Sequence, residues 1–128
     1  DGLKLVVLNG CESEELGKLC CQRAVPVVVC WRTRVADEAA YLFVRGFFHK
    51  LEELGAAADH RYEEAFKAGK LAVVGKTRTE RTDDGSTTTV PFFELRDPDE
   101  LYDPAQGVTS YAAGVPVLHG AQWPSGYV

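Results

Sequence analysis

The residues able to do covalent chemistry crowd into the start of the chain. All four cysteines, Cys11, Cys20, Cys21 and Cys30, lie in the first quarter of 128 residues. Cys11 stands apart by its surroundings. It follows the apolar run Leu3-Lys4-Leu5-Val6-Val7-Leu8 and the turn formers Asn9-Gly10, and it precedes Glu12-Ser13 and a helical pattern. Between a strand end and a helix start, unsatisfied backbone N–H groups and the helix dipole favour an anion, so a thiolate there is stabilised and becomes a competent nucleophile. Glu12, Glu14 and Glu15 oppose that effect. The competing account is a buried structural cysteine, since free Cys is among the most buried residue types. Cys20 and Cys21 are adjacent. That spacing suits neither a zinc site, whose cysteines pair roughly two to four residues apart, nor a disulfide framework spread over loops. No metal or cofactor is expected, and Cys20, Cys21 and Cys30 read as reduced core thiols.

The elements that must position Cys11 follow from periodicity. Leu3 to Leu8, with β-branched Val6 and Val7, fits a short strand covered on both faces. Glu12 to Arg23 reads as a helix with Ser13 as N-cap and Leu16, Leu19 and Cys20 along one face. Ala24 to Trp31 is a second β-branched strand, with Pro26 at its start because it has no N–H for the ladder. Strand, helix, strand makes a right-handed βαβ unit and a parallel pair. The loop Arg32 to Ala36 then leaves the same sheet edge as Cys11, where sites form in open parallel sheets. Asp37 reads as the cap of an amphipathic helix to Leu54 with Ala40, Phe43, Val44, Phe47, Leu51 and Leu54 on one stripe. His49 lies off that stripe, at the surface. A further helix, His60 to Val74, carries Gly69 on its apolar side and so predicts a close helix crossing; His60 reads as solvent-facing.

From Gly75 the character changes. Polar Lys76 to Thr82, the turn signal Asp83-Asp84-Gly85 and the run to Leu95 suggest a hairpin at a sheet edge, limited by Pro91. After Arg96 the chain is turn-rich, and its last part, dense in Gly and Pro, reads as a loop-rich tail. Two units result: residues 1–74, and a hairpin and loop-rich extension, 75–128, that either completes the edge of the domain or leads into another one.

Composition narrows function. The chain is 45% hydrophobic and 26% charged, enough for an ordinary domain. Its net charge of −5, heaviest after residue 74, does not suit a nucleic-acid partner. No apolar run has the length of a membrane span, and a cytoplasmic location is expected. The chain begins at Asp1 and has no Met, which suggests a fragment of a longer protein. There is no Gly-rich phosphate loop after either strand, so a nucleotide-binding domain is disfavoured.

Several blocks together resemble a known family. Leu5 to Ser13, Val27-Val28-Val29-Cys30-Trp31, Asp37-Glu38-Ala39-Ala40, Phe43, Phe47-Phe48, Leu51, Gly55 and Glu64-Ala65-Phe66 are similar to the second half of a CHAT domain, the caspase-like domain of the separase and caspase clan. The resemblance implies an α/β fold with a parallel sheet, in part a caspase-like three-layer (αβα) arrangement. It also implies a cysteine peptidase with a His and Cys dyad. Its short Ala-Cys-x-Ser segment maps onto Gly10, Cys11, Glu12 and Ser13, with Gly10 departing from the usual Ala. Cys11 would be the nucleophile, and the turn at Gly10 and Cys11 would help hold the oxyanion. Trp31, Arg32 and Arg34 would line the substrate groove, the arginines either meeting an acidic substrate side chain or forming a solvated basic loop.

The family's histidine precedes the cysteine in a His-Gly turn, and no histidine precedes Cys11 here. His119-Gly120 is the same dipeptide far downstream. The expectation is a peptidase half lacking its imidazole, with a protein or peptide substrate and a fused helical-repeat (TPR-like) region as partners. The alternative is a non-catalytic CHAT-like module for protein–protein interaction.

Overall fold

A computed structural model of the chain describes residues 3–100 and 110–120. Strand β1 (Leu5–Val7), helix α1 (Glu14–Gln22) and strand β2 (Val27–Trp31) come first. β1 pairs with β2 in parallel, Leu5 opposite Val27 and Val7 opposite Val29. This is the expected βαβ unit, but its two strands differ in depth. All five β2 residues are buried, whereas β1 is half-buried and lies at the edge of the sheet. A run of Val27-Val28-Val29-Cys30-Trp31 suits a strand packed on both faces. The shorter β1 is covered less fully than its composition suggested.

Helices α2 (Asp37–Leu54) and α3 (Arg61–Val74) supply most of the remaining core. Phe43 and Phe47 are fully buried, and Phe66 nearly so. The Phe43 ring meets Trp31 edge-on at 5.4 Å and Phe66 at 5.6 Å, so this aromatic cluster joins both helices to the end of β2. Each such side chain contributes about 1.5–3 kcal/mol by leaving water. The expected close crossing is present. A Cβ on Gly69 would come within 2.8 Å of the Phe43 ring, and one on Gly46 would lie 2.6 Å from the Ala72 Cβ and 2.9 Å from the Ala68 carbonyl.

Three capping and packing expectations change. Ser13 precedes α1 but makes no side-chain cap, and Asp37 is the first residue of α2, with Ala36 in the cap position. The residues expected to bury α1, Leu16 and Leu19, are about half exposed. The helix instead seats Gly17 on β2, where a Cβ would sit 2.8 Å from the Cys30 sulfur. Residue size decides this: only the bare backbone face lets α1 approach the sheet so closely.

Beyond α3, strands β3 (Thr77–Arg81) and β4 (Thr87–Pro91) form the expected antiparallel hairpin. It is a sheet of its own, not an addition to the edge of the first. Short strands β5 (Phe93–Glu94) and β6 (Tyr111–Ala112) pair in parallel. Strand β7 (Pro116–His119) then runs antiparallel to β2, Pro116 opposite Trp31 and His119 opposite Val28. The tail expected to be loop-rich therefore supplies the third strand of the main sheet, in order β1-β2-β7. The architecture is mixed α/β, with three helices and small sheets among the described residues. The part of the tail read beyond Gly120 lies outside the described residues.

Candidate functional site

Both parallel strands end on the same side, and past their ends the chain stays paired. The Leu8 N–H donates to the Val29 carbonyl at 2.8 Å, and the Glu12 N–H donates to the Thr33 carbonyl at 2.9 Å. Between these two contacts the chain bulges outward as Asn9-Gly10-Cys11. Glu12 closes the bulge in the left-handed conformation, φ 52°, a costly setting for a non-glycine residue. The result is an exposed Cys11 at the sheet's carboxyl edge.

The sulfur of Cys11 faces the β2–α2 loop. It accepts a hydrogen bond from the Val35 N–H at 3.3 Å and lies 3.6 Å from the Val35 carbonyl oxygen. This departs from the expectation that helix α1 would supply the nearby N–H groups, since that helix begins only at Glu14. Among the described residues the Cys11 N–H meets no acceptor. At Gly10 an added Cβ would meet nothing within 4 Å, so the turn does not require glycine there and has room for alanine.

Side chains that sequence reasoning assigned elsewhere, or passed over, hold the bulge. Ser13 donates its hydroxyl to the Leu8 carbonyl at 3.1 Å and accepts from the Trp31 N–H at 3.0 Å, bridging the ends of β1 and β2 instead of capping α1. Asn9 accepts from the Trp31 indole N–H at 2.9 Å and donates to the Ala40 carbonyl at 3.2 Å, which ties the bulge to α2. Thr33, itself buried, donates to the Arg34 carbonyl at 2.7 Å and accepts from the Val115 N–H at 3.0 Å. The loop is braced further by Gly114. Its φ of 115° and its approach to the Arg34 carbonyl, 2.6 Å from where a Cβ would stand, exclude a side chain. Asn9 and Thr33 gave no signal in the sequence beyond ordinary turn chemistry, because their partners are distant in the chain.

Trp31 needs correction as a groove residue: it is 1% exposed. Its ring packs on Phe43 and its N–H reaches Asn9, so it supports the turn from beneath and lines no surface. Arg32 and Arg34 are exposed, yet both are paired within the chain. Arg32 donates to both carboxylate oxygens of Glu14, at 3.0 and 3.3 Å. Arg34 donates to both oxygens of Asp99, at 3.1 and 2.5 Å.

His119 sits on β7 with its Nε2 2.9 Å from a Glu14 carboxylate oxygen. Glu14 is thus shared by a guanidinium and an imidazole, and the Arg32 hydrogen bonds above all hold its carboxyl below the usual range, against the opposing effect of partial burial. No hydrogen bond joins His119 to Cys11, whose sulfur engages only Val35 among the described residues. His49 is exposed near Glu53, and His60 is partly exposed 4.0 Å from the buried Glu63 carboxylate. A hollow of about 450 Å³ lined by Pro26, His60, Glu63 and Gly120 lies at the opposite end of β2 from Cys11.

The other cysteines contrast with Cys11. Cys30 is wholly buried, and burial above all, helped by the Glu14 charge, pushes its thiol up to about 11. It stays protonated near neutral pH. Cys20 and Cys21 are half-buried and free. Among the described residues no group of three His, Cys, Asp or Glu side chains is arranged to hold a metal ion, and no helix is long and apolar enough to cross a membrane. Comparison with protein-family models, with curated proteins and with solved structures finds no match to this chain.

Proposed function

We propose that this chain is the carboxyl-terminal half of a CHAT-type cysteine peptidase domain of caspase-like three-layer architecture, with Cys11 as its nucleophile. The observation that carries the reading is the bulge itself. It presents an exposed thiol at the carboxyl edge of a parallel strand pair, with a backbone N–H aimed at the sulfur and the residue's own N–H meeting no acceptor among the described residues. The room for a Cβ at Gly10 supports it too, since alanine is usual there in the family.

In this reading the Cys11 thiolate attacks the carbonyl carbon of a peptide. The oxygen, now negatively charged, is held by the Cys11 N–H, and the amine leaves after taking a proton from an imidazolium. Water then hydrolyses the thioester. His119 is hydrogen-bonded to Glu14 and makes no hydrogen bond to Cys11, so this reading takes its imidazole from outside this chain. Its partners are a protein or peptide substrate and a fused helical-repeat region, in the cytoplasm.

A second reading, an interaction module without catalysis, is favoured by one observation: among the described residues no imidazole is hydrogen-bonded to Cys11. The full-length protein separates the two. Cys11→Ala is expected to abolish cleavage of its protein substrate while Cys30→Val preserves it; equal activity of Cys11→Ala and the parent would refute the peptidase assignment.

A further inference from the structure

The hollow at the far end of β2 from Cys11 contains a carboxylate that, among the described residues, receives no hydrogen bond. Glu63 is the third residue of α3, and a glutamate there ordinarily turns back to the N–H of the cap residue. Here it does not. Its side chain is only 5% exposed, and its one ion-pair contact among the described residues is His60 Nδ1 at 4.0 Å, too far for a hydrogen bond. Nor are its oxygens sealed inside protein: they keep a small opening, and Glu63 lines the hollow. A carboxylate removed from water and given no donor is costly, so such a group calls for an occupant.

We infer that this hollow binds a small organic amine in its ammonium form, with Glu63 as acceptor and counter-charge. An ionised carboxylate only accepts hydrogen bonds, so its partner must donate, and a cationic donor gains most. The volume, about 450 Å³, falls within the range of small-molecule sites, roughly 300–1,000 Å³. Pro26, Val27 and Tyr62 provide a wall for the carbon body of the ligand, and the exposed Asp59 adds a second negative charge at the rim. The neighbouring cation, Arg61, is drawn onto Tyr62: it donates to the hydroxyl at 2.6 Å and lies over the ring at 4.5 Å. A metal ion fits less well. Asp59, His60 and Glu63 are metal-ligating types, yet among the described residues no three such side chains are gathered for coordination. The site uses neither Cys11 nor the loop beside it, so it stands or falls apart from the peptidase reading.

Saturation-transfer NMR on the full-length protein near pH 7 tests this, with phenethylamine as the probe and 2-phenylethanol as its uncharged counterpart of the same shape. Phenethylamine is expected to bind saturably with a Kd of about 1 mM or below. The alcohol is expected to bind about tenfold more weakly or worse, because it cannot supply the charge-assisted hydrogen bond. Glu63→Gln, which keeps the size of the side chain, is expected to reduce the affinity for the amine to that for the alcohol, while Glu15→Gln on the exposed surface of α1 leaves it unchanged. Asp59→Lys reverses a charge at the exposed rim without touching the buried part of the site, and is expected to weaken amine binding severalfold. Equal binding of amine and alcohol, no saturable binding, or full affinity in a folded Glu63→Gln or in Asp59→Lys overturns the inference.

Discussion

At the scale of single residues, the molecule treats chemically identical thiols in opposite ways. Cys11 is lifted out of the sheet edge by a left-handed Glu12 and braced by Ser13 and Asn9, whereas Cys30 sits in the most buried strand beneath Gly17. The Cys30 thiol has a direct consequence for stability. Its folded value of about 11 lies above the ordinary value of 9.0, so the native state holds the proton more tightly. That contribution is fully present below pH 9 and is lost as the pH rises towards 11, amounting to about 2–3 kcal/mol. Urea unfolding as a function of pH is expected to show this loss in the parent and a flatter profile in Cys30→Val; identical slopes would refute it. The position of Cys11 was legible from its flanking residues, because strand, turn and helix signals are local. The partners of Asn9, Ser13 and Thr33 were not, because they depend on which strand ends are brought together.

At the scale of elements, local periodicity located α2 and α3 to within a residue or so, and the Gly69 gap correctly announced a close crossing. It did not announce Gly46, which lies opposite Ala68 and Ala72. Gly46→Ala is therefore expected to destabilise the protein by about 1–3 kcal/mol by overpacking, despite a helix-propensity gain of about 1 kcal/mol. The midpoint of urea denaturation reads the sign directly, and a stabilised variant would contradict the packing described. Strand β7 was missed for a physical reason. Pro116-Val117-Leu118-His119 is short, begins with proline and lies among glycines, so nothing local marks it. Its strand character comes from pairing with β2. The apolar face assigned to α1 failed in a similar way, since a glycine contact with the sheet outweighed two leucines that the helix leaves half exposed.

At the scale of the whole molecule, the extension read after residue 74 joins the sheet of the first unit: β7 pairs with β2, and Val115 and Gly114 brace the loop beside Cys11. Early and late segments of the chain thus build one sheet edge, and that edge carries the exposed thiol, the paired Arg34 and a Cys11 N–H that meets no acceptor among the described residues. The account's central claim is that this arrangement makes Cys11 the reactive thiol of the chain. A time course of alkylation by iodoacetamide near pH 7, resolved by peptide mapping for all four cysteines, tests it most directly. Cys11 is predicted to react first and faster than glutathione under the same conditions, Cys20 and Cys21 later, and Cys30 only on unfolding. Slow, uniform labelling of the four thiols, or a Cys11 no faster than Cys30, would contradict it.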